Sequence, residues 1–488
     1  MDPNLIDYEL KEAPQQSEIR TEEEEPMNPQ TTNTRTFKFK VNNVGFLDGT
    51  SMITFKLKKS STATAGHRLR VNCWNGALGA IKSAVMKVGD FEIVNTQGLD
   101  RIATLRHLNK PTIIRNDMMG FYLQNNLRVH VASTASTEAL EGTDRGVGQL
   151  RPETDSGINF GQQDDGTGAA VRNISIVTDS TKNEKYGIPL YMLFPCLENR
   201  QLPLFLFQDY PVILEITFNE ASKYVNNIGR PAADEYRALD TDIEIDSPKL
   251  VVDYVLPPTE TINAYINQVS GQGYRFEYPR INRVIKSLPA VGGNNQVQEV
   301  EHRLGQEGRE VHQIYQFKKY ESATDPTAGA QLGNKILLDQ KIDGSMIEEY
   351  NVEVNGKDLF SDFVFNHASQ YNKVSQALDE PLYLPRSMYY NDVNSQNAGI
   401  TNQTAGLKGN FKPLAVDLRN GIPSIVGGGT PIQRGSQLVF KYRREGKAAV
   451  ADVSLDTKPS MNVEYHIVRD GVAVIKKLPK GTSVIVSA

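Results

Sequence analysis

Residues 188–218 read IPLYMLFPCLENRQLPLFLFQDYPVILEITF and form the most apolar part of the sequence. The stretch holds three apolar runs of six or seven residues, separated by polar segments that contain proline. Short apolar runs with such borders are typical of buried β-strands, and interior prolines argue against one long helix. In the third run Val212, Leu214 and Ile216 share one face of an extended chain. The stretch therefore predicts the core of a β-sheet.

The length and composition of the chain favour a protein made of many short strands. With 488 residues the chain is too long for one compact core, and two all-β domains of about 200–250 residues would fill it. The 38 glycines and 24 prolines are spread throughout the sequence, as expected for strands joined by turns. No apolar run reaches the roughly twenty residues that a membrane helix needs.

The formal net charge of −5 is concentrated at the N-terminus. Residues 1–35 carry nine acidic and three basic side chains, a charge of −6, which leaves +1 for the rest. A nearly neutral body lacks the basic stripe of a dedicated nucleic-acid binder, so we expect no sequence-specific nucleic acid as a partner. The acidic segment itself is typical of a disordered arm. Two interpretations of the arm stay open: a solvated tail, or a docking segment at residues 5–10 for a neighbouring subunit.

The two cysteines, Cys73 and Cys196, are far apart and lack the spacing of a zinc site or a disulfide framework. Cys196 is predicted to be a small buried apolar residue. The first residues, MDPNLIDYELKEAP, contain neither the basic nor the apolar region of a secretory signal. We therefore expect the chain to be made and kept in a reducing compartment.

Four carboxylates alternate at Asp240, Asp242, Glu244 and Asp246, within a polar segment at residues 219–247. In an extended chain they would lie on one face, and carboxylate oxygens are ligands for Ca²⁺. The glycine turn of an EF-hand loop is absent from the segment. A cation site and a solvated strand edge, whose charges would discourage edge-to-edge pairing, both remain open.

The sequence nominates no catalytic, cofactor-binding or metal-binding residue. Its histidines lack the spacings that place two imidazoles on one metal; they are His67, His107, His130, His302, His312, His367 and His466. The glycines at 427–429 lack the Gly-Lys-Ser/Thr continuation of a phosphate-binding loop, and there is no G-x-S-x-G motif. Basic residues at 441–480, which include Lys441 and Arg443, form either a solvated face or a contact for an acidic partner.

A weak internal repeat links the two halves of the sequence. Val88 is followed by Gly89-Asp90, and Val354 is followed by Asn355-Gly356, so each half contains a strand, a two-residue turn and a second strand. A short helical pattern follows both units, at residues 361–371 in the second. Two copies about half a chain apart are what a tandem duplication of one β-sandwich would leave.

Three short segments resemble double jelly-roll major capsid proteins, the lineage of virophages, polinton-like viruses, large nucleocytoplasmic DNA viruses and adenovirus hexon. Ile188-Pro189-Leu190 and Leu202-Pro203-Leu204 correspond to late strands of the first jelly roll in that family. Residues 252–256, VDYVL, correspond to the strand that closes it, before the proline pair at residues 257–258. The charged segment that follows this strand in the family is replaced here by Thr-Glu-Thr-Ile-Asn.

The resemblance implies an all-β protein with two tandem eight-stranded jelly-roll sandwiches, short helices and long loop insertions. The expected boundaries are a disordered acidic arm at 1–35, a first jelly roll at 36–256, a linker at 257–272 and a second jelly roll at 273–488. Long polar insertions at 131–187 and 386–435 would form outward towers.

The resemblance also implies a non-enzymatic protein of the virion that assembles inside the host cell. Family members form homotrimers, and six jelly rolls per trimer make a pseudo-hexagonal capsomer that tiles an icosahedral shell. The implied partners are further copies of the chain and penton and minor capsid proteins, with an internal membrane and a host receptor left open. The alternative is a carbohydrate-binding or adhesion protein, which the single tryptophan, Trp74, disfavours. A β-sandwich hydrolase is disfavoured because no catalytic motif is present.

Overall fold

The computed structural model describes most of the predicted strands and leaves out parts of the polar insertions. The described residues are 17–28, 35–60, 69–71, 76–99, 102, 176–177, 186–198, 201–207, 210–221, 224–227, 240–272, 274–289, 297–319, 349–364, 367–378, 414–419, 428–445, 461–478 and 481–487. Several residues singled out in the sequence lie outside this part of the chain, namely Cys73, Trp74, His67, His107, His130 and residues 5–10.

The strands up to residue 256 pair only with one another. They are β1 (Glu18–Glu24), β2 (Thr36–Val41), β3 (Phe46–Leu47), β4 (Met52–Lys59), β5 (Leu69–Val71), β6 (Ile81–Val88), β7 (Phe91–Gln97), β8 (Ile176–Val177), β9 (Tyr186–Pro189), β10 (Leu202–Pro203), β11 (Val212–Phe218), β12 (Val225–Asn227) and β13 (Ile243–Leu256). One sheet has the order β10-β3-β13-β4-β9 with β1 also on β13, a second has the order β2-β11-β6-β7, and β12-β5-β8 form a small third sheet.

The strands after residue 273 form a second antiparallel set. They are β14 (Tyr274–Leu288), β15 (Val297–Gly305), β16 (Glu310–Lys319), β17 (Glu349–Val354), β18 (Lys357–Asp358), β19 (Leu414–Asp417), β20 (Thr430–Pro431), β21 (Leu438–Glu445), β22 (Met461–Leu478) and β23 (Gly481–Ser487). The larger sheet has the order β14-β22-β16-β19, with β20 on β16 and β23 on β22, and the smaller sheet is β15-β21-β17-β18. Helices are α1 (Leu190–Leu193), α2 (Thr259–Gln272) and α3 (His367–Leu378).

Each half is a sandwich of two antiparallel sheets, as the sequence predicts. In the first half, alternate residues of β2 and β11 point into the core, and Phe37 and Phe39 are completely or almost completely buried. Phe218 on β11 meets Phe55 on β4 edge-to-face with ring centres 5.0 Å apart, so the two sheets interlock. Fully burying one such side chain stabilises the fold by about 1.5–3 kcal/mol relative to leaving it exposed.

The apolar stretch at 188–218 is buried as predicted, but only part of it is strand. β11 confirms the third run, with its even-numbered residues buried and its odd-numbered residues half-buried. The first run is β9 followed by helix α1, and the second is the two-residue strand β10 followed by a 3₁₀ turn at Leu204–Phe207. The strand prediction is therefore wrong for most of these two runs. Short apolar runs do not distinguish a strand from a buried helical turn.

The repeated hairpin is present in both sandwiches. β6 and β7 are joined at Gly89-Asp90, where Gly89 has a φ of +57°. β17 and β18 are joined at Asn355-Gly356, where both residues have a positive φ. Such two-residue turns require residues that tolerate a left-handed backbone, which asparagine and glycine do. The helix that follows the second hairpin begins at His367, later than the predicted 361–371, because residues 361 and 362 form bends and Val364 forms a bridge to Tyr350.

Three predicted boundaries need correction. The acidic arm is not disordered throughout, because Glu18–Glu24 forms β1 and pairs with β13 along its whole length. The predicted linker at 257–272 contains helix α2, whose Tyr265 packs against the rings of Phe46 and Phe205 in the first sandwich. The predicted insertion at 386–435 contains β19 and β20, which pair with β16.

The two sandwiches share a continuous apolar contact. The core cluster of the first sandwich extends to Tyr278, Phe317 and Val468 of the second. The second sandwich also has its own core, which includes Tyr350, Phe440 and Ile467 in other parts of the same sheets. Within the described ranges, no helix has both the length and the apolar character needed to cross a membrane.

Candidate functional site

The four alternating carboxylates do not share one face. Asp240–Asp242 forms a 3₁₀ turn ahead of β13 rather than an extended segment. Asp240 accepts a hydrogen bond from the backbone N–H of Ala221 at 2.7 Å and pairs with Arg35 at 2.8 Å. Its charge therefore fixes the turn against the N-terminal end of β2. The prediction of one acidic face is wrong because the turn rotates Asp240 out of the strand register.

The other two described carboxylates of this group face basic residues. Glu244 and Asp246 lie on β13 directly opposite Lys58 and Lys56 of β4. Glu244 also accepts a hydrogen bond from the hydroxyl of Ser60 at 3.0 Å. Opposite charges across an antiparallel pair stabilise it. Among the side chains that the structure describes, these carboxylates belong to no group of three possible metal ligands.

A mixed cluster that the sequence did not predict lies at one end of the second sandwich. Glu310 and His312 on β16 and Asp470 on β22 bring three possible ligand atoms within 4.8 Å of one another. His312 Nε2 is 2.6 Å from Asp470 Oδ1, and Glu310 Oε1 accepts the backbone N–H of Gly429 at 2.9 Å. Imidazole and carboxylate are ligands of divalent transition metals. Through these two hydrogen bonds the cluster connects β16 with β22 and with Gly429.

A buried polar chain joins the two sheets of the second sandwich. His302 Nε2 lies 3.0 Å from the backbone carbonyl of Ser287, and Nδ1 lies 2.6 Å from the hydroxyl of Tyr465. Since a carbonyl only accepts, Nε2 carries the proton and Nδ1 accepts from Tyr465. The hydroxyl of Tyr465 also contacts that of Tyr442. Burial lowers the pKa of His302, with Lys286 adding to the effect, so the imidazole is held neutral.

A buried ion pair lies where the second sandwich meets the first. Glu464 on β22 is 2% exposed, and its two oxygens accept from Arg283 at 2.5 and 2.9 Å. His466 Nε2 lies 2.8 Å from Glu464 Oε1. Gly98, at the end of β7, packs directly on these two side chains. The group is a structural contact between the halves of the chain.

Two of the basic residues at 441–480 are already paired within their sheet. Lys441 contacts Glu353 and Asp358 at 2.8 and 2.7 Å. Arg443 contacts Glu299 and Glu349 at 2.8 and 3.2 Å. A sheet residue that already faces two carboxylates offers little net charge to an acidic partner. Cys196 is buried, which confirms its predicted role as a small core residue.

The N-terminal strand completes one edge of the first sandwich. β3 and β4 pair with one side of β13, and β1 pairs with the other side through the same residues. Lys249 contacts Glu23 at 2.9 Å, and Thr21 donates to Asp253 at 2.7 Å. Ile19 on β1 is 71% exposed. The acidic segment thus contributes a strand to the sheet while presenting an apolar residue to solvent.

Two tandem antiparallel sandwiches, joined by a helix and by a shared apolar contact, define the class of double β-sandwich proteins. The sequence matches no protein-family model and no curated protein. Its structure, however, is similar along nearly its whole length to viral capsid proteins with two jelly rolls.

The similar structures include PBCV-1 VP54, fitted into a reconstruction of the virophage Sputnik, with a TM-score of 0.58 and 8% identity over 97% of both chains. A chain of the Sputnik virophage matches with a TM-score of 0.53 and 13% identity, over 97% of this chain and 89% of that one. The mavirus major capsid protein matches with a TM-score of 0.51 and 9% identity, over 96% and 90%. The chain therefore has the double jelly-roll fold, and the fold predicted from the sequence is confirmed.

Proposed function

We propose that this chain is a viral major capsid protein that forms homotrimeric, pseudo-hexagonal capsomers of an icosahedral shell. The observation that carries the proposal is the extent of the structural match, which spans 97% of this chain and 97% of PBCV-1 VP54. A match of this extent includes both sandwiches and their connection, whereas a shared single domain would cover about half of each chain. It also agrees with the segments at residues 188–204 and 252–256 that resemble this family in sequence.

We infer that residues 36–256 together with β1, and residues 273–488, are the two jelly rolls of one protomer, and that residues 257–272, which contain α2, connect them. The continuous apolar contact through Tyr278 and Val468 supports a fixed arrangement of the two sandwiches. Three copies of such a paired unit would present six similar sandwiches around a threefold axis. That arrangement is what a pseudo-hexagonal tile requires.

The further partners follow from the proposed position in a shell. Neighbouring capsomers, penton proteins and minor capsid proteins would contact the sides and base of the trimer. The parts of the insertions at 131–187 and 386–435 that lie outside β8, β9, β19 and β20 would supply the outward towers, where a host receptor would bind. Residues 1–16, ahead of β1, would reach minor capsid proteins or an internal membrane.

Native mass spectrometry of the purified full-length protein tests the proposal. We expect a stable assembly of three chains of 54.3 kDa each, and negative-stain images with hexagonal outlines. A stable monomer at micromolar concentration would argue against a capsomer. If that monomer also bound glycans, the carbohydrate-binding alternative would replace the proposed function.

A further inference from the structure

Three arginines lie together at one end of the larger sheet of the second sandwich. Arg280 on β14 and Arg469 on β22 are directly opposite each other in antiparallel register. On its other side Arg469 is opposite Val311 of β16. Arg309 immediately precedes β16, and it is close enough to Arg469 for its charge to act on that guanidinium. All three arginines are half-buried.

No carboxylate neutralises these arginines within the described part of the chain. None of the three forms an ion pair there, although nearby Arg283 is paired with Glu464. The Nε atom of Arg469 is buried without a hydrogen-bond partner. Burial lowers the pKa of Arg469, and the charges of Arg280 and Arg309 lower it further. Like charges directly opposite each other across two strands are unfavourable.

The acidic residues next to these arginines in sequence are engaged elsewhere. Asp470 is paired with His312, and Glu310 accepts the backbone N–H of Gly429. Successive residues of a strand point to opposite faces, so Asp470 and Arg469 are directed apart. This end of the sheet thus carries an acidic cluster and, separately, a basic cluster that has no counter-charge among the residues described.

We propose that Arg280, Arg309 and Arg469 form a binding site for a free phosphate-class anion, such as inorganic phosphate or pyrophosphate. Guanidinium groups bind phosphate oxygens through paired N–H donors, and three of them suit a multiply charged oxyanion better than a single carboxylate. The site is close to the junction of the sandwiches, because Tyr278, two residues from Arg280, bonds to Ile93 of the first. A bound anion would therefore stabilise both the second sandwich and its junction. This site does not depend on the proposed capsid function.

Thermal unfolding of the full-length protein tests the site, with phosphate or pyrophosphate compared with chloride at matched ionic strength. We expect the wild-type Tm to rise by about 3 °C at a hundredfold excess over Kd, since a ligand of the folded state stabilises by mass action. Arg469→Gln and Arg280→Gln should lose this rise. In chloride, the Tm of Arg280→Gln should be no lower than that of wild type, because the variant removes one of three positive charges that repel one another.

Arg443→Gln is the matched control, since Arg443 is bound by Glu299 and Glu349 within its sheet. It should keep the full response to phosphate. If Arg469→Gln does not fold, Arg280→Gln and Arg309→Gln provide the same comparison. The proposal is overturned if wild type responds equally to phosphate and chloride, or if the arginine variants keep the wild-type rise.

Discussion

The hydroxyl group of Tyr278 on β14 donates a hydrogen bond to the backbone carbonyl of Ile93 on β7. This contact joins the second sandwich to the first at a point where both partners are buried. Burial raises the pKa of Tyr278 to about 12, so the hydroxyl keeps its proton and remains a donor across the physiological pH range. The relative position of the two sandwiches thus depends on a specific polar contact as well as on apolar packing.

Removing this hydroxyl should destabilise the protein. In Tyr278→Phe the carbonyl of Ile93 would stay buried without a donor, which costs about 1–3 kcal/mol. Chemical denaturation monitored by far-UV circular dichroism would measure the loss of unfolding free energy. Tyr210→Phe is the control. Tyr210 is half-buried, so water can hydrogen-bond to whatever its hydroxyl leaves unpaired, and this variant should lose less unfolding free energy. Equal losses in the two variants would show that the hydrogen bond to Ile93 contributes little.

Gly98 should tolerate no side chain. Its φ is +67°, and an added Cβ would lie 2.6 Å from His466 Cε1 and 2.7 Å from Glu464 Oε1. Gly308 has nearly the same φ, +68°, with nothing within 4 Å of an added Cβ. Gly308→Ala should therefore show only the backbone cost of about 1–2 kcal/mol. Gly98→Ala should lose about 1–3 kcal/mol more, because the junction must move to make room. Similar unfolding midpoints for the two variants would contradict the close contact.

The buried ion pair at the same junction should be costly to break on one side. Glu464→Gln would leave Arg283 without its carboxylate, and removing one partner of a buried pair typically costs about 3–5 kcal/mol. The double variant with Arg283→Gln should lose less than the sum of the two single variants. As a control, Arg20→Gln removes a pair to Glu22 whose arginine is 60% exposed, and should cost at most about 1 kcal/mol. Additive losses in the double variant would show that Glu464 and Arg283 do not depend on each other.

The neutral His302 should make the protein less stable in acid. Its pKa in the folded state is lowered from 6.5, mainly by burial, so the unfolded chain binds a proton more readily. The stability contributed by the neutral imidazole is therefore fully present above about pH 6.5 and is lost as the pH falls toward the folded pKa. The slope of the unfolding free energy from this one group is at most about 1.4 kcal/mol per pH unit.

Comparison of wild type with His302→Gln isolates this contribution. The variant should be less stable at neutral pH, because Tyr465 loses the acceptor Nδ1. As the pH is lowered below 6.5, the unfolding free energy of the variant should fall less steeply than that of wild type. Parallel pH profiles for the two proteins would mean that other groups cause the acid sensitivity.

Sequence periodicity predicted the strands whose two faces differ. β2, β4 and β11 alternate fully buried side chains with half-buried or exposed ones, and this pattern is visible in the residues themselves. It failed for the two apolar runs at residues 188–194 and 202–207, because no alternation of polar and apolar residues marks two different faces there. Burial of that segment was predicted correctly, whereas the division into β9, α1 and β10 depends on contacts with β3 and β4.

The polar clusters could not be predicted, because their members are far apart in the chain. Asp470 lies 158 residues after His312, and no local spacing connects them. β1 was missed for a similar reason: its run of glutamates resembles a solvated tail, and the strand is stabilised by β13, more than two hundred residues away. The repeated hairpin was predictable because its turn chemistry is local, with Asn355-Gly356 and Gly89 at the positions of positive φ.

Two N-terminal deletions should separate the strand from the segment before it. Removal of residues 1–16 leaves β1 in place, whereas removal of residues 1–28 exposes the edge of β13 at residues 250–256. We expect trimers in both cases, since β1 lies at an outer edge of its sheet and outside the core. Shell assembly should be impaired in both, if residues 1–16 reach minor capsid proteins as proposed.

Only the longer deletion should aggregate, because an uncovered strand edge pairs with other chains. Size-exclusion chromatography with light scattering would distinguish these outcomes, and loss of the trimer in either deletion would show that the arm holds the capsomer together.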